Sequence, residues 1–96
     1  TQWCLAAGDM NHDSRTDLVI LGKRETLVFH QQPQGGFTAP VKLMNTSDKL
    51  GLAQIADLDG DGRADLCYVA GEAATRRLGL RLQDAQGRLG PEFLFD

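Results

Sequence analysis

Two short windows of the sequence contain more than half of its acidic residues. Seven of the 13 aspartate and glutamate residues fall within residues 9–17 and 57–65. Within each window, oxygen-bearing side chains stand at positions 1, 3, 5 and 9, and these are Asp9, Asn11, Asp13 and Asp17, then Asp57, Asp59, Asp61 and Asp65. Because like charges this close repel one another unless a cation lies between them, the windows predict two cation sites.

The alternate spacing of these residues is typical of a calcium loop. In a tightly curled loop, side chains at every second position converge on one point and form an oxygen-rich site for a hard cation. Calcium takes 6 to 8 oxygen ligands at about 2.3–2.6 Å, so we expect a backbone carbonyl at position 7 in addition to the side chains. Position 7 is Arg15 in the first loop and Arg63 in the second.

An EF-hand loop begins with the same pattern, and its twelfth position distinguishes the two sites. EF-hands, and dockerin-type loops with them, require an acidic residue there between flanking helices. Here position 12 is Ile20 or Tyr68, each within an apolar run that is typical of a strand. The sequence therefore favours calcium sites in β-hairpins.

The two loops differ in their expected affinity. The second loop has four carboxylates and has glycine at positions 4 and 6, where a curled loop often requires a positive φ. The first loop has three carboxylates and has His12 and Ser14 at those two positions. A non-glycine residue at positive φ costs on the order of 1 kcal/mol, so we expect the second loop to bind calcium more tightly.

The elements that position the loops also occur twice. The first acidic window recurs 48 residues later, and the downstream Gln-Gly turn recurs at an offset of about 52 residues. Each half contains four short apolar or alternating runs, and we predict strands over residues 3–8, 18–21, 27–30, 37–44, 50–56, 66–70, 78–82 and 93–95. Only residues 72–77 have helical propensity, and that segment is too short for a stable helix. We therefore divide the chain into two repeat units, 1–48 and 49–96.

This pattern resembles the FG-GAP/VCBS repeat of integrin α-subunit propellers and of many bacterial extracellular proteins. The resemblance lies in GDMNHDSRTDLVIL at residues 8–21, LVFH at 27–30 and QGGFTAPV at 34–41, and it extends over both units. It implies an all-β fold of two four-stranded antiparallel β-propeller blades, in which each acidic loop joins the first two strands of its blade and binds Ca²⁺. By position, the ligands would be Asp9, Asn11, Asp13, the Arg15 carbonyl and Asp17, and Asp57, Asp59, Asp61, the Arg63 carbonyl and Asp65.

Two blades cannot close a propeller, which takes roughly 4 to 8. We therefore expect further blades of a longer chain, or identical subunits that assemble as a trimer or tetramer, to complete it. The four phenylalanines, Phe29, Phe37, Phe93 and Phe95, are expected to pack between blades. Trp3 is expected to be a core residue and not a platform for carbohydrate, and His30 an ordinary sheet residue.

Other classes of function have little support in the sequence. The net charge of −3 and the scattered basic residues argue against nucleic acid as a partner, and no apolar run approaches the roughly 20 residues that cross a bilayer. Cys4 and Cys67 occupy dissimilar positions in the two units, so we expect both to be free thiols. No nucleophile motif or phosphate-binding loop is present, and we predict that the protein is not an enzyme.

The leading hypothesis is an extracellular, cell-surface or periplasmic calcium-binding scaffold whose loops bind a protein or carbohydrate ligand. This location follows from the resemblance and from the calcium concentration that such sites require. An alternative is an accessory propeller fragment of a larger secreted enzyme. Another is a calcium-responsive sensor, which the absence of helices and of position-12 acids disfavours.

Overall fold

The computed structural model describes residues 4–46, 49–71 and 76–95 and contains eight β-strands. They are β1 (Cys4–Gly8), β2 (Asp17–Gly22), β3 (Glu25–Phe29), β4 (Val41–Met44), β5 (Leu50–Ala56), β6 (Asp65–Ala70), β7 (Arg77–Arg81) and β8 (Phe93–Phe95). None of the described residues is helical, and the search for helices long and apolar enough to span a membrane found none among them.

The strands form two four-stranded antiparallel sheets, each paired in chain order from β1 to β4 and from β5 to β8. In the first sheet, Val19 pairs with Ala6 on one side and with Val28 on the other. The all-β prediction with two four-stranded antiparallel units is therefore confirmed, and the arrangement is that of two propeller blades.

The predicted strands agree with the structure except for the fourth. Residues 37–44 were expected to be one strand, but only Val41–Met44 pairs with β3, and Phe37 forms an isolated bridge with Gln31. Pro40 accounts for the short strand, because proline has no N–H to donate to the sheet. Trp3 and the segment 72–75 lie outside the described residues, so the expectations for them stay predictions.

The two sheets pack through opposite faces. β1 lies beside β5, and Gly8 allows this close approach, since an added Cβ would lie 2.6 Å from Cγ2 of Ile55. One face of β2 and β3 in the first sheet packs against the opposite face of β6 in the second sheet. Together they form one buried cluster, which consists of Met10, Val19, Leu21, Val28, Leu66, Tyr68 and Ala70. In the repeat, Val19 and Leu21 correspond to Cys67 and Val69, which are not in this cluster. The contact between the units is therefore head to tail.

Polar groups join the outer parts of the two sheets. The buried Arg81 donates hydrogen bonds from Nη2 to the Met44 carbonyl at 2.6 Å and to Asn45 Oδ1 at 3.1 Å. Thr46 donates from its N–H and its hydroxyl to Glu92 Oε1, at 3.0 and 2.8 Å. Because these hydrogen bonds join one unit to the other, they and the apolar contact together determine the orientation of the two sheets.

The two cysteines are free thiols, as expected. They lie on β1 and β6, and Cys4 Sγ accepts a hydrogen bond from the Ala53 N–H at 3.4 Å. The Cys4 thiol therefore belongs to the contact between the first strands of the two units.

The expectation that phenylalanines pack between blades does not hold within this pair of sheets for three of the four. Phe37, Phe93 and Phe95 have 44–49% of their surface exposed. In the contact between the units, Leu89 packs against the buried cluster. Leu89 is the counterpart of Phe37, because Leu89 bridges to Gln83 as Phe37 bridges to Gln31. Leu89 is therefore partly buried between the units, whereas its counterpart Phe37 in the first unit is exposed.

Candidate metal centres

The acidic loops connect the first two strands of each sheet. Asp9 directly follows β1 and Asp17 begins β2, and Asp57 and Asp65 occupy the same places next to β5 and β6. One carboxylate oxygen from each of Asp57, Asp59, Asp61 and Asp65 lies within 4.8 Å of the others, and Asp9, Asp13 and Asp17 form the matching group. The hairpins thus bring the predicted carboxylates together in both loops.

The aspartate at position 1 holds each loop in its curled form. Asp9 accepts hydrogen bonds from the N–H groups of Asp13, at 3.0 Å, and Ser14, at 2.8 Å. In the second loop, Asp57 accepts from the N–H groups of Gly60 and Gly62, both at 2.8 Å. The loop backbone therefore wraps around the aspartate at position 1, whose hydrogen bonds stabilise the curl.

These hydrogen bonds also set the charge state of position 1. The N–H of Gly62 and those of its neighbours lower the pKa of Asp57 below its usual range. Burial raises the pKa of Asp9, but hydrogen bonds from Ser14, Asp13 and neighbouring backbone groups outweigh it, so the pKa of Asp9 is lowered as well. Both side chains are thus kept in the ionised form that binds a cation.

Position 3 of the second loop shows the cost of crowding negative charges. Desolvation, the hydrogen bond with Asp61 and the charges of Asp65 and Asp61 raise the pKa of Asp59 above its usual range. A cation at the centre of the loop would remove this repulsion, since its charge attracts all four carboxylates.

Position 3 of the first loop is Asn11, whose amide can serve in two orientations. With its nitrogen turned inward, the amide nitrogen lies 2.9 Å from Asp13 Oδ1 and 3.2 Å from Asp9 Oδ1, and donates hydrogen bonds to both. With its oxygen inward, the amide faces only acceptors, an arrangement that a cation among them would stabilise. Asn11 therefore lies among the carboxylates of the first loop, and its role as a neutral ligand stays a prediction.

The aspartate at position 9 is fully buried in both loops and has a second role. Asp17 accepts hydrogen bonds from the N–H of Met10 at 2.9 Å and from that of Gln31 at 2.8 Å. Asp65 repeats this with Leu58, at 2.9 Å, and Gln83, at 2.8 Å. Each carboxylate thereby ties its loop to the chain that follows the third strand.

Three basic side chains lie next to these carboxylates. His30 Nδ1 is 3.3 Å from Asp17 Oδ2, so His30 belongs to the surroundings of the first loop and not only to the sheet. At position 7, Nη1 of Arg15 lies 3.5 Å from Asp13 Oδ2, and Nη1 of Arg63 lies 3.9 Å from Asp61 Oδ2. The guanidinium groups offset part of the negative charge, and the ligand role of the two arginine carbonyls stays a prediction.

Positions 4 and 6 of both loops have positive φ. The values are +80° and +84° at Gly60 and Gly62, and +60° and +67° at His12 and Ser14. Glycine adopts this conformation without strain, whereas a side chain with a Cβ costs roughly 1–2 kcal/mol per residue. The positive φ expected at these positions is therefore observed, and the first loop has the greater backbone strain; the predicted order of calcium affinity stays a prediction.

Replacing the strained residues with glycine should stabilise the first loop. For His12→Gly and Ser14→Gly we expect a gain of about 0.5–1 kcal/mol each in the free energy of unfolding, because relief of strain exceeds the added chain entropy. Urea unfolding in the presence of a chelator measures this gain without a contribution from metal. As matched controls, Gly60→Ala and Gly62→Ala should destabilise the protein, and a gain from either would contradict this explanation.

The second unit covers the first loop and leaves its own loop open. Gln83 donates from Nε2 to the Asp9 carbonyl at 3.2 Å and to the Ala64 carbonyl at 2.8 Å. Gly87 lies so near the first loop that an added Cβ would be 2.8 Å from the Asn11 carbonyl. Our reading of the sequence missed Gln83, although the occurrence of glutamine at residues 31 and 83, 52 positions apart, marks it.

The donor set fits a calcium ion. The side chains of the loops that offer oxygen atoms at the point of convergence are carboxylates and one amide, and hard cations prefer oxygen ligands of this kind. A family model described as an FG-GAP-like repeat matches residues 5–68, which is 64 of the 96 residues. No curated protein and no solved structure matches the chain.

Proposed function

Since the chain belongs to the FG-GAP-like repeat family, we propose that it is a calcium-stabilised β-propeller module that serves as a scaffold for binding and is not an enzyme. The observation that carries this proposal is the convergence of carboxylates in two equivalent loops, seven in all. In each loop the backbone hydrogen bonds to positions 1 and 9 hold the ligands in place in advance.

The side chains of the loop would hold calcium with distinct roles. Asp9 and Asp57 order the loop, Asp13 and Asp61 face the arginines, and the buried Asp17 and Asp65 connect the site to the sheet. A bound calcium ion supplies positive charge that offsets the repulsion among these groups. Because position 9 is tied to the end of the third strand, ion binding braces the blade, which supports a structural role over that of a sensor.

We further propose that the scaffold works outside the cytosol and presents its inter-strand loops to a protein or carbohydrate ligand. Millimolar calcium, which is found outside the cytosol, would keep sites of modest affinity filled. The exposed sheet faces would be covered by further blades of a longer chain or by identical subunits. Neither nucleic acid nor membrane insertion has a part in this proposal.

Thermal melting with 1 mM calcium and with a chelator tests the proposal. Calcium at about 100 times its dissociation constant adds about 2.7 kcal/mol per site to the native state. For a chain of this size, each kcal/mol raises Tm by roughly 4–8 °C, so we expect a rise of about 10 °C or more. Equal melting temperatures in the two buffers would show that the loops do not bind calcium.

Paired substitutions then rank the two loops. Replacing Asp59 and Asp61 with alanine should remove more of the calcium-dependent rise than replacing Asn11 and Asp13, because the second loop has more carboxylates and less strain. Calorimetric titration of the same variants should lose one of two binding events in each case. If replacing Asn11 and Asp13 removed more of the rise, the covering of the first loop by Gln83 and Gly87 would outweigh the larger ligand charge of the second loop.

A further inference from the structure

We infer that a second copy of this chain docks head to tail on the outer face of the second sheet, with Phe37 of one copy in an apolar groove formed by Leu58, Leu80, Phe93 and Phe95 of the other. We call these four residues the second groove. The inference rests on the proposed function only in taking the chain to be a pair of blades. It specifies which residues make the contact.

The contact between the two units of one chain is the template. Met10, Val28, Val41 and Leu43, which we call the first groove, line an open cavity of about 150 Å³ together with Leu89, His30, Gly87 and Arg88. Leu89 belongs to the second unit and packs against the buried cluster of the pair. One apolar side chain of the following unit therefore lies beside a groove on the preceding one and lines the same cavity.

Strand pairing assigns the counterpart of each groove residue. Val19 pairs with Val28, and Val28 pairs with Val41; in the second unit, Cys67 pairs with Leu80, and Leu80 with Phe93. By the same register, Leu43 corresponds to Phe95, and by the 48-residue repeat Met10 corresponds to Leu58. The second groove therefore occupies in the second unit the same position that the first groove occupies in the first unit.

Exposure of the second groove indicates that a contact is missing there. Met10 is 1% exposed beneath the second unit, whereas its counterpart Leu58 is 48% exposed. On the same face, Phe95 is 49% exposed, whereas its counterpart Leu43 is only partly exposed and packs against the buried cluster; Phe93, at 48%, is as exposed as its counterpart Val41, at 47%. Large apolar side chains grouped in this way mark an interaction surface.

The first unit exposes the matching side chain. Phe37 is the counterpart of Leu89, since Phe37 bridges to Gln31 as Leu89 bridges to Gln83, and Phe37 is 44% exposed. Around it the first sheet presents Leu18 and Ile20 on the face whose counterparts, Leu66 and Tyr68, are buried between the units. The outer face of one copy therefore matches the outer face of another.

A hydrogen bond between the two units can also have an equivalent between two copies. Gln83 donates to the Asp9 carbonyl of the preceding unit. Its counterpart Gln31 has the same side chain, so in a second copy it can reach the Asp57 carbonyl of the first copy. This bond would lie next to Leu58 and fix the register of the two copies.

The geometry commits the contact to a head-to-tail form. Each copy has one groove face and one Phe37 face, so the same contact repeats and closes only as a ring. Three copies supply six blades and four copies supply eight, both within the range that propellers adopt.

Light scattering and sedimentation equilibrium on the 96-residue chain test the inference. We expect a mass above 10.5 kDa that rises with concentration. Phe37→Asp, and separately Phe93→Asp together with Phe95→Asp, should each raise the dissociation constant by at least about tenfold. Met44→Asp is the control, because Met44 is 67% exposed and does not belong to the first groove or to the Phe37 face.

Mixing the two kinds of variant separates head-to-tail docking from non-specific adhesion. The Phe37→Asp chain retains its groove and the doubly substituted chain retains Phe37, so an equimolar mixture should form a dimer of twice 10.5 kDa. Circular dichroism of each variant confirms that it is folded. A wild-type chain that stays monomeric, or a mixture that does not dimerise, would overturn the inference.

The melting experiment with calcium distinguishes this failure from failure of the proposed function. A monomeric wild-type chain that is stabilised by calcium refutes the docking and leaves the calcium proposal intact. A chain that assembles through Phe37 without a calcium-dependent rise in Tm supports the docking and refutes the calcium sites.

Discussion

Asp65→Ala is expected to lower the free energy of unfolding by about 2–5 kcal/mol even when a chelator removes calcium. The substitution leaves the N–H groups of Leu58 and Gln83 without their acceptor in a site where Asp65 itself has no exposed surface. The buried Gln83 N–H costs about 1–3 kcal/mol when it loses its partner, and the partly buried Leu58 N–H adds a smaller amount. The loss is a large part of the 5–15 kcal/mol by which ordinary domains are stable.

Asp59→Ala is the matched control, because both residues are predicted ligands of the same ion. Asp59 is exposed, and desolvation together with the neighbouring carboxylates Asp61 and Asp65 already raises its pKa, so removing it in the presence of chelator should change stability by less than about 0.5 kcal/mol. Both variants should lose the calcium-dependent rise in Tm for the second loop. Equal stability of the two variants in chelator would show that position 9 has no structural role beyond the metal.

The second large effect is expected from Gly79→Ala in β7. An added Cβ would lie 2.4 Å from Cε2 and 2.6 Å from Cζ of Tyr68, its partner across the sheet. The ring cannot easily move away, because Tyr68 is buried and its hydroxyl donates a hydrogen bond to Glu92. We expect a loss of about 1–3 kcal/mol in urea unfolding, the usual cost of overpacking.

Two further variants make this result specific. Gly51→Ala, in β5, meets no atom within 4 Å and should leave stability nearly unchanged or slightly raised. In a Tyr68→Leu background, where the ring is absent, Gly79→Ala should cost clearly less than in the wild type. If the cost were the same in both backgrounds, contact with the ring would not be its cause.

The strands and loops could be predicted because their signals are local. Apolar runs of four to seven residues, turn residues between them and the 48-residue repeat indicate eight strands, and the structure contains all eight with one shortened. The carboxylates converge as predicted, since alternate side chains of a curled hairpin loop meet without help from distant residues. Positive φ at His12 and Ser14 follows from the same local geometry.

Contacts between the units could not be predicted in the same way. Nothing in the sequence favours Leu89 over Phe37 as the more buried member of the pair, because both follow the same Gln-Gly turn. Gln83 was also missed, since its side chain acts on the Asp9 carbonyl, 74 residues away along the chain. Such contacts depend on which faces of two sheets meet, and periodicity within one strand does not specify that.

For the acidic loops, the sequence alone determined the ligand types, their spacing and the ranking of backbone strain. Only the tertiary structure showed that Asp17 and Asp65 are buried supports of the sheet, because their partners Gln31 and Gln83 come from a later part of each unit. It also showed that one loop is covered and the other open. The physical reason is that hydrogen-bond partners and buried faces are set by packing between elements, whereas the curl of a hairpin loop is set by its own residues.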